Sequence, residues 1–252
     1  MRDIHDSIAS HMVELGLQMS GEELATLSLQ AGRQGMDNLE FLAHLVTTMV
    51  EEKRHRSFDM LLRLSGIPLQ KDLESFDFSF QPDLDEALIR QLATLDFVKA
   101  RENVIFLAKP GRGKSHLAMA LGLCAIRKGM RVYMATLNQI IERLQEAQRA
   151  GMLTKRRWMA FTRPSVLIID DVANRVLDRS SCELLAELVA RRYEKGSIIL
   201  TSNKPFSEWP RYYDANATEE IVDKLVHHST IITIKGPSYR LKEKLQQVGS
   251  LR

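Results

Sequence analysis

A chain of 252 residues with 44% apolar and 27% charged residues carries enough apolar material to bury a sizeable core, which excludes a wholly disordered protein. No apolar run approaches the roughly 18 uncharged residues of a bilayer-crossing helix, and Met1 to Asp6 lacks the charge and apolar order of a secretory signal, so the chain reads as cytoplasmic. The net charge of +3 hides an asymmetry: residues 1–100 carry a net −8 and residues 101–252 a net +11.

In chain order, residues 1–66 read as a small helical domain. Ser20 with Glu23, and Asp37 with Glu40, are capping-box patterns. The second introduces a long helix that Gly66 and Pro68 end. Residues 67–82 form a linker in which Phe76, Phe78 and Phe80 alternate with Asp77 and Ser79, the rhythm of a short strand packing three rings on the next domain. An amphipathic helix is expected from Asp83 to Val98, opening a second domain that spans residues 83–252.

From Asn103 short apolar strands alternate with helical patterns, which predicts a parallel sheet covered on both faces. Strands are expected at 103–107, 131–135, 165–169, 197–201 and 230–234. Only 18 residues follow the fifth, too few for a helical lid domain. Cys124 and Cys182 lie in apolar helical patterns and read as buried reduced thiols.

Between the first strand and its helix lies Ala108-Lys109-Pro110-Gly111-Arg112-Gly113-Lys114-Ser115, followed by His116. A phosphate-binding loop needs backbone amides at a helix N-terminus, a lysine to reach the β and γ phosphates, and a hydroxyl for Mg²⁺. Gly111, Gly113, Lys114 and Ser115 meet those needs, while Ala108 stands where the usual pattern has glycine. About fifty residues on, the apolar strand Val166 to Ile169 ends in Asp170 and Asp171, a Walker B element. There Asp170 would hold Mg²⁺ with Ser115, and Asp171 would act as general base toward water. Asn203, closing the strand Ile198 to Ser202, stands where a sensor would orient that water.

Four stretches together closely resemble the insertion-sequence helper ATPases called IstB: Gly111 to Ala118, Leu167 to Asp171, Gly196 to Trp209, and Asp223 to His228 continuing through Lys235 to Lys242. The resemblance covers about residues 39–242, including Phe76 to Pro82. It implies an AAA+ ATPase of the P-loop three-layer α/β type, with a five-stranded parallel sheet and no lid. Such a protein assembles with ATP on duplex DNA as a homo-oligomer, selects a target and presents it to a partner transposase. The helicase loader DnaC has a similar core and offers an alternative, as does a non-hydrolysing DNA-bound scaffold.

The chain departs from the family at Ala108, at Asp171 in place of Glu, and at Lys224 in place of Arg. Asp171 is one methylene shorter than Glu, and a misplacement of about 1 Å costs a reaction roughly a hundredfold. Lys224, implied to reach a neighbouring subunit's γ-phosphate, keeps the charge but loses the bidentate fork. ATP binding is expected to survive better than hydrolysis. Arg240 resembles a second nucleotide sensor. Arg149, Lys155, Arg156 and Arg157, beside Trp158, are the candidates for DNA, with Arg175 and Arg179 secondary; a solvated charged helix end is the alternative reading.

Overall fold

Five parallel strands, ordered β2-β3-β4-β1-β5, form one sheet in the computed structural model, which describes residues 2–242. They are β1 (Asn103–Ala108), β2 (Val132–Thr136), β3 (Val166–Val172), β4 (Ser197–Ser202) and β5 (Ser229–Ile234). Each begins within one residue of its expected start, because an unbroken apolar run of this length buries both faces of a strand, and β3 alone runs on three residues past its expected end. In this order β1 lies between β4 and β5, so the loop after β1 opens beside the ends of β4 and β3.

The strands alternate between two covered faces. Ile105, Leu167, Ile169, Ile198 and Leu200 join a buried cluster with residues of α7 (Leu137–Arg149), α8 (Lys155–Thr162), α9 (Arg179–Arg192) and α10 (Ala215–Val226). On the other face lies α6 (Lys114–Arg127), so close at Gly122 that a Cβ there would meet Ile67 Cδ1 at 2.6 Å and Ile168 Cδ1 at 2.8 Å. The result is three layers. A capping box of Thr136 and Gln139 starts α7, Asp178 caps α9 and Asp214 caps α10.

The described chain divides into two units, one up to Met60 and one from Leu61. In the first, α1 (Arg2–Glu14), α2 (Gly21–Gln34) and the start of α3 (Asn38–Ser65) enclose Met19, Leu24, Leu45 and Met49. Both capping pairs form: Ser20 with Glu23, and Asp37 with Glu40.

Two expectations need correction. Phe78–Phe80 is a 3₁₀ turn, not a strand, because Asp77 accepts from the Phe80 N–H and from the Ser79 hydroxyl, and this local turn chemistry overrides the alternation. The helix expected at 83–98 is two helices, α4 (Glu86–Leu92), capped by Asp85, and α5 (Asp96–Lys99). Between them Leu95 takes a left-handed φ of 69° with its side chain fully buried, and Thr94 Oγ1 donates to Asp96 at 2.9 Å. Burial of one leucine has outweighed helix continuity. Both cysteines are free, with Cys182 buried and Cys124 half-buried. Among the described residues no helix is long and apolar enough to cross a membrane.

Candidate functional site

The glycine-rich loop joins β1 to α6. Ala108 belongs to β1, paired with Ile234 and buried, so its methyl sits on strand backbone and not at a left-handed position. Left-handed backbone is confined in this loop to Gly111 (φ 79°) and Gly113 (φ 95°). A Cβ on Gly113 would lie 2.6 Å from Phe76 Cε2, and one on Gly111 would lie 2.2 Å from Ser238 Oγ. Both positions therefore need glycine for dihedral and for space. Gly113 caps α6 without any side-chain hydrogen bond, which leaves the first-turn amides for an anion.

Four predicted residues meet at this loop. Lys114 is buried, with Nζ 3.8 Å from Asp171 Oδ1. Ser115 Oγ donates to Asp170 Oδ1 at 2.8 Å, joining residues 55 apart in the chain. Thr201 of β4 donates its hydroxyl to the same oxygen and accepts the Asp171 N–H at 3.1 Å. Sequence reasoning missed Thr201; its only signal was a hydroxyl in an otherwise apolar strand.

Asp171 reaches Lys114 because β3 is bulged. Ile169 pairs with Leu200 but Val172 pairs with Ser202, so β3 spends three steps where β4 spends two. Asp171 (φ 61°) and Ala173 (φ 57°) are left-handed there, and Tyr213, also missed, steadies the bulge by accepting the Ala173 N–H at 2.6 Å. A bulge re-aims a side chain out of strand alternation, and an aspartate tolerates the left-handed well. Asn203 follows β4, one residue past the Leu107–Ser202 pairing, and its Oδ1 is buried with no partner among the described residues. A buried acceptor so placed suits a water or ligand donor.

Opposite the loop stands a wall built from residues 70–81 and the segment after β5. Gln81 Nε2 donates to the Pro237 carbonyl at 2.9 Å, Asp77 pairs with Lys242 at 3.2 Å, and the Phe80 and Tyr239 rings meet edge to face at 5.4 Å. The Tyr239 N–H donates to the Gly111 carbonyl at 2.8 Å. Between wall and loop lies a cavity of about 340 Å³, lined by Phe76, Phe80, Gly113, Lys114 and Arg240 among others, which is large enough for a small-molecule ligand. His116 also lines it. Its Nε2 sits 2.8 Å from the Asp72 carbonyl and 3.2 Å from Ser75 Oγ. Burial, aided by Lys71, holds the His116 imidazole below its ordinary pKa against the raising effect of that carbonyl and of the Asp72 charge.

With this geometry in place, comparison with known proteins is decisive. The IstB-like ATP binding protein family profile matches residues 10–247. The chain belongs to that family. It is 39% identical over 243 residues to the ATP-binding protein of insertion sequence IS5376 from Geobacillus stearothermophilus, covering 96% of each chain. It is 41% identical over 216 residues to that of insertion sequence IS21 from Pseudomonas aeruginosa, covering 85% of this chain and 81% of the relative. Among solved structures, AMPPCP-bound DnaA from Aquifex aeolicus matches with a TM-score of 0.58 at 18% identity, covering 73% of this chain and 57% of that one. DnaI matches at 0.54 and 15%, covering 69% and 94%. At those identities the likeness shows the fold alone.

The remaining candidates of this IstB-like chain lie away from the loop. Lys155, Arg156 and Arg157 are exposed on the first turn of α8, while Trp158 is buried with the Arg191 guanidinium 4.6 Å from its ring centre. Arg149 ends α7, and Arg175 pairs with Glu142 of α7 at 3.8 Å; both charges act on Asp178. Lys224 lies in the last turn of α10, paired with Glu220, near the start of β1 and so at the opposite end of the sheet from its own P-loop.

Proposed function

We propose that this chain is an ATP-dependent helper of transposition, which assembles on duplex DNA as a homo-oligomer and presents target DNA to a partner transposase. The observation that carries the reading is the junction of Ser115, Asp170 and Thr201 beside a two-glycine cradle, in a chain whose relatives are named for ATP binding and insertion sequences. A phosphate chain fits the loop because a Cβ at either glycine would fill the cradle, and an all-oxygen pair such as Ser115 and Asp170 suits a hard cation.

In this reading the amides of 111–115 and Lys114 hold the phosphates, and the wall of Phe76, Phe80 and Arg240 holds the rest of the nucleotide. Ser115 and Asp170 would hold Mg²⁺, which when bound offsets phosphate charge. Asp171 is the base that takes a proton from water, and Asn203 Oδ1 orients that water. At rest Asp171 is tethered to Lys114; a triphosphate competes for Lys114 and releases the carboxylate. The short side chain and the bulged backbone of Asp171 make turnover slow. Lys155, Arg156 and Arg157 contact DNA phosphates, and Lys224 acts on a neighbour's nucleotide.

The test is a titration with a fluorescent ATP analogue beside steady-state hydrolysis with and without duplex DNA. Binding that Lys114→Ala abolishes, with slow DNA-stimulated turnover, is expected. A parent chain that binds no nucleotide would sink the P-loop reading, and brisk hydrolysis would sink slow turnover.

A further inference from the structure

Three hydroxyls fix the main chain of the β3 bulge, one for each residue from 171 to 173. Thr201 accepts the Asp171 N–H, Ser202 Oγ donates to the Val172 carbonyl at 2.9 Å, and Tyr213 Oη accepts the Ala173 N–H. All three side chains are buried. Neither left-handed residue beside Val172 is glycine, and alanine has no preference of its own for a φ of 57°. Such backbone persists only where its surroundings over-determine it. The phenol at 213 is the clearest of those surroundings. A phenylalanine would fill the same space against Trp209, whose ring meets Tyr213 edge to face at 5.7 Å. The hydroxyl adds nothing to that packing, and burial raises its pKa. What it gains is the Ala173 N–H.

The segment that supplies two of these hydroxyls also carries Asn203. Ser202 Oγ accepts the Lys204 N–H at 3.1 Å, and Trp209 Nε1, in the 3₁₀ turn Phe206–Arg211, donates to the Lys204 carbonyl at 3.3 Å. Asn203 is therefore pinned on both sides to residues 202–213, the same segment that holds Val172 and Ala173. One buried piece of chain sets the two side chains proposed to share the attacking water.

We infer that Tyr213, assisted by Ser202, is a positioning residue for hydrolysis: the two hydroxyls hold the bulge so that Asp171 leaves the alternation of β3 and faces the phosphate loop beside Asn203. This rests on the proposed reading of Asp171 as the base and adds two residues to it. Without the phenol hydroxyl, Ala173 is free to relax toward ordinary strand backbone, and a slip of one residue turns alternate side chains to the other face. Neither Tyr213 nor Ser202 lines the cavity beside the P-loop, so their effect falls on turnover and not on affinity.

The experiment is single-turnover phosphate release from saturating ATP with duplex DNA present, beside titration with a fluorescent ATP analogue, for the full chain as parent, Tyr213→Phe and Ser202→Ala. Each variant should release phosphate about tenfold or more slowly, since a misplacement of about 1 Å costs roughly a hundredfold, while binding the analogue within about twofold of the parent. A role in the fold alone would lower the urea midpoint and leave the rate of the folded chain as it was. Because the two residues act through Asp171, Tyr213→Phe placed in an Asp171→Asn chain, followed over longer times, should slow release by less than about twofold. Ser202→Ala carries the test if the phenylalanine variant does not fold. A parent rate kept by both variants, a loss of affinity that matches the loss of rate, or an undiminished effect on the Asp171→Asn background would overturn the inference. A parent that binds no nucleotide, or binds it and releases no phosphate, is a separate result, which sinks the proposed ATPase reading itself.

Discussion

Gly113→Ala tests the loop geometry most directly. Two costs add. Holding alanine at φ 95° costs about 1–2 kcal/mol, as left-handed backbone does for residues with a Cβ. The new methyl would sit 2.6 Å from Phe76 Cε2, so the ring must retreat by several tenths of an ångström, and overpacking of this kind costs about 1–3 kcal/mol. Together the substitution should cost about 2–5 kcal/mol, on the order of 4–20 °C in melting temperature for a unit of this size. The assay is urea unfolding of the parent, Gly113→Ala, Phe76→Ala and the double variant. Removing the ring should relieve the steric part and leave the backbone part, so the double variant should be more stable than the two single losses predict, by about 1–3 kcal/mol. If the single variants add without coupling, the close approach of Phe76 to the loop is refuted. If Gly113→Ala is as stable as the parent, the left-handed backbone is refuted too.

Further outcomes follow from the same geometry. Asp171→Glu should raise the rate of hydrolysis, up to roughly a hundredfold, with nucleotide affinity unchanged; an unchanged rate in steady-state assay would show that the short carboxylate is not limiting. Alanine at Lys155, Arg156 and Arg157 together should weaken DNA binding and reduce the slope of log affinity against log salt by roughly 3, read by fluorescence anisotropy across salt concentrations. For His116 the folded pKa lies below the unfolded value, so the unfolded chain binds the extra proton. The stability its neutral ring contributes is present at neutral pH and is lost as pH falls through the unfolded value, about 6.5, toward the folded one. Urea midpoints for the parent should therefore drop between pH 7 and 5 more steeply than those of His116→Gln, and parallel curves would remove this account.

Much of the fold was legible because its signals are local. Five apolar runs, the Thr136–Gln139 and Ser20–Glu23 caps, and Asp178 before α9 each declare an element within a few residues. The Ser115–Asp170 pairing was legible as two motifs at a suitable spacing. What escaped depends on a single extra residue or on distant company. Nothing in Ile168-Ile169-Asp170-Asp171-Val172 declares a bulge, because the groups that accept the N–H of its left-handed residues, Thr201 for Asp171 and Tyr213 for Ala173, lie 30 and 40 residues further on. Phe76, Phe78 and Phe80 alternate as a strand does, yet Asp77 is free to bond its own backbone, and sequence alone does not weigh those two tendencies. Leu95 interrupts a good amphipathic pattern because its side chain is worth more buried than a continued helix is worth.

The wall of the cavity beside the P-loop is fastened by bonds between residues 156 and 165 positions apart, Gln81 to Pro237 and Asp77 to Lys242. During synthesis, therefore, the P-loop and the sheet's middle strands emerge long before the cavity they serve has its second side. At roughly 5–20 residues per second, the interval from the end of the loop at residue 115 to residue 242 lasts on the order of 6–25 s. Throughout it the nascent chain carries phosphate-binding amides and an aromatic segment with nothing to close on. The cavity can close only once β5 has joined the sheet, so the last strand to be made also decides when its second side first exists.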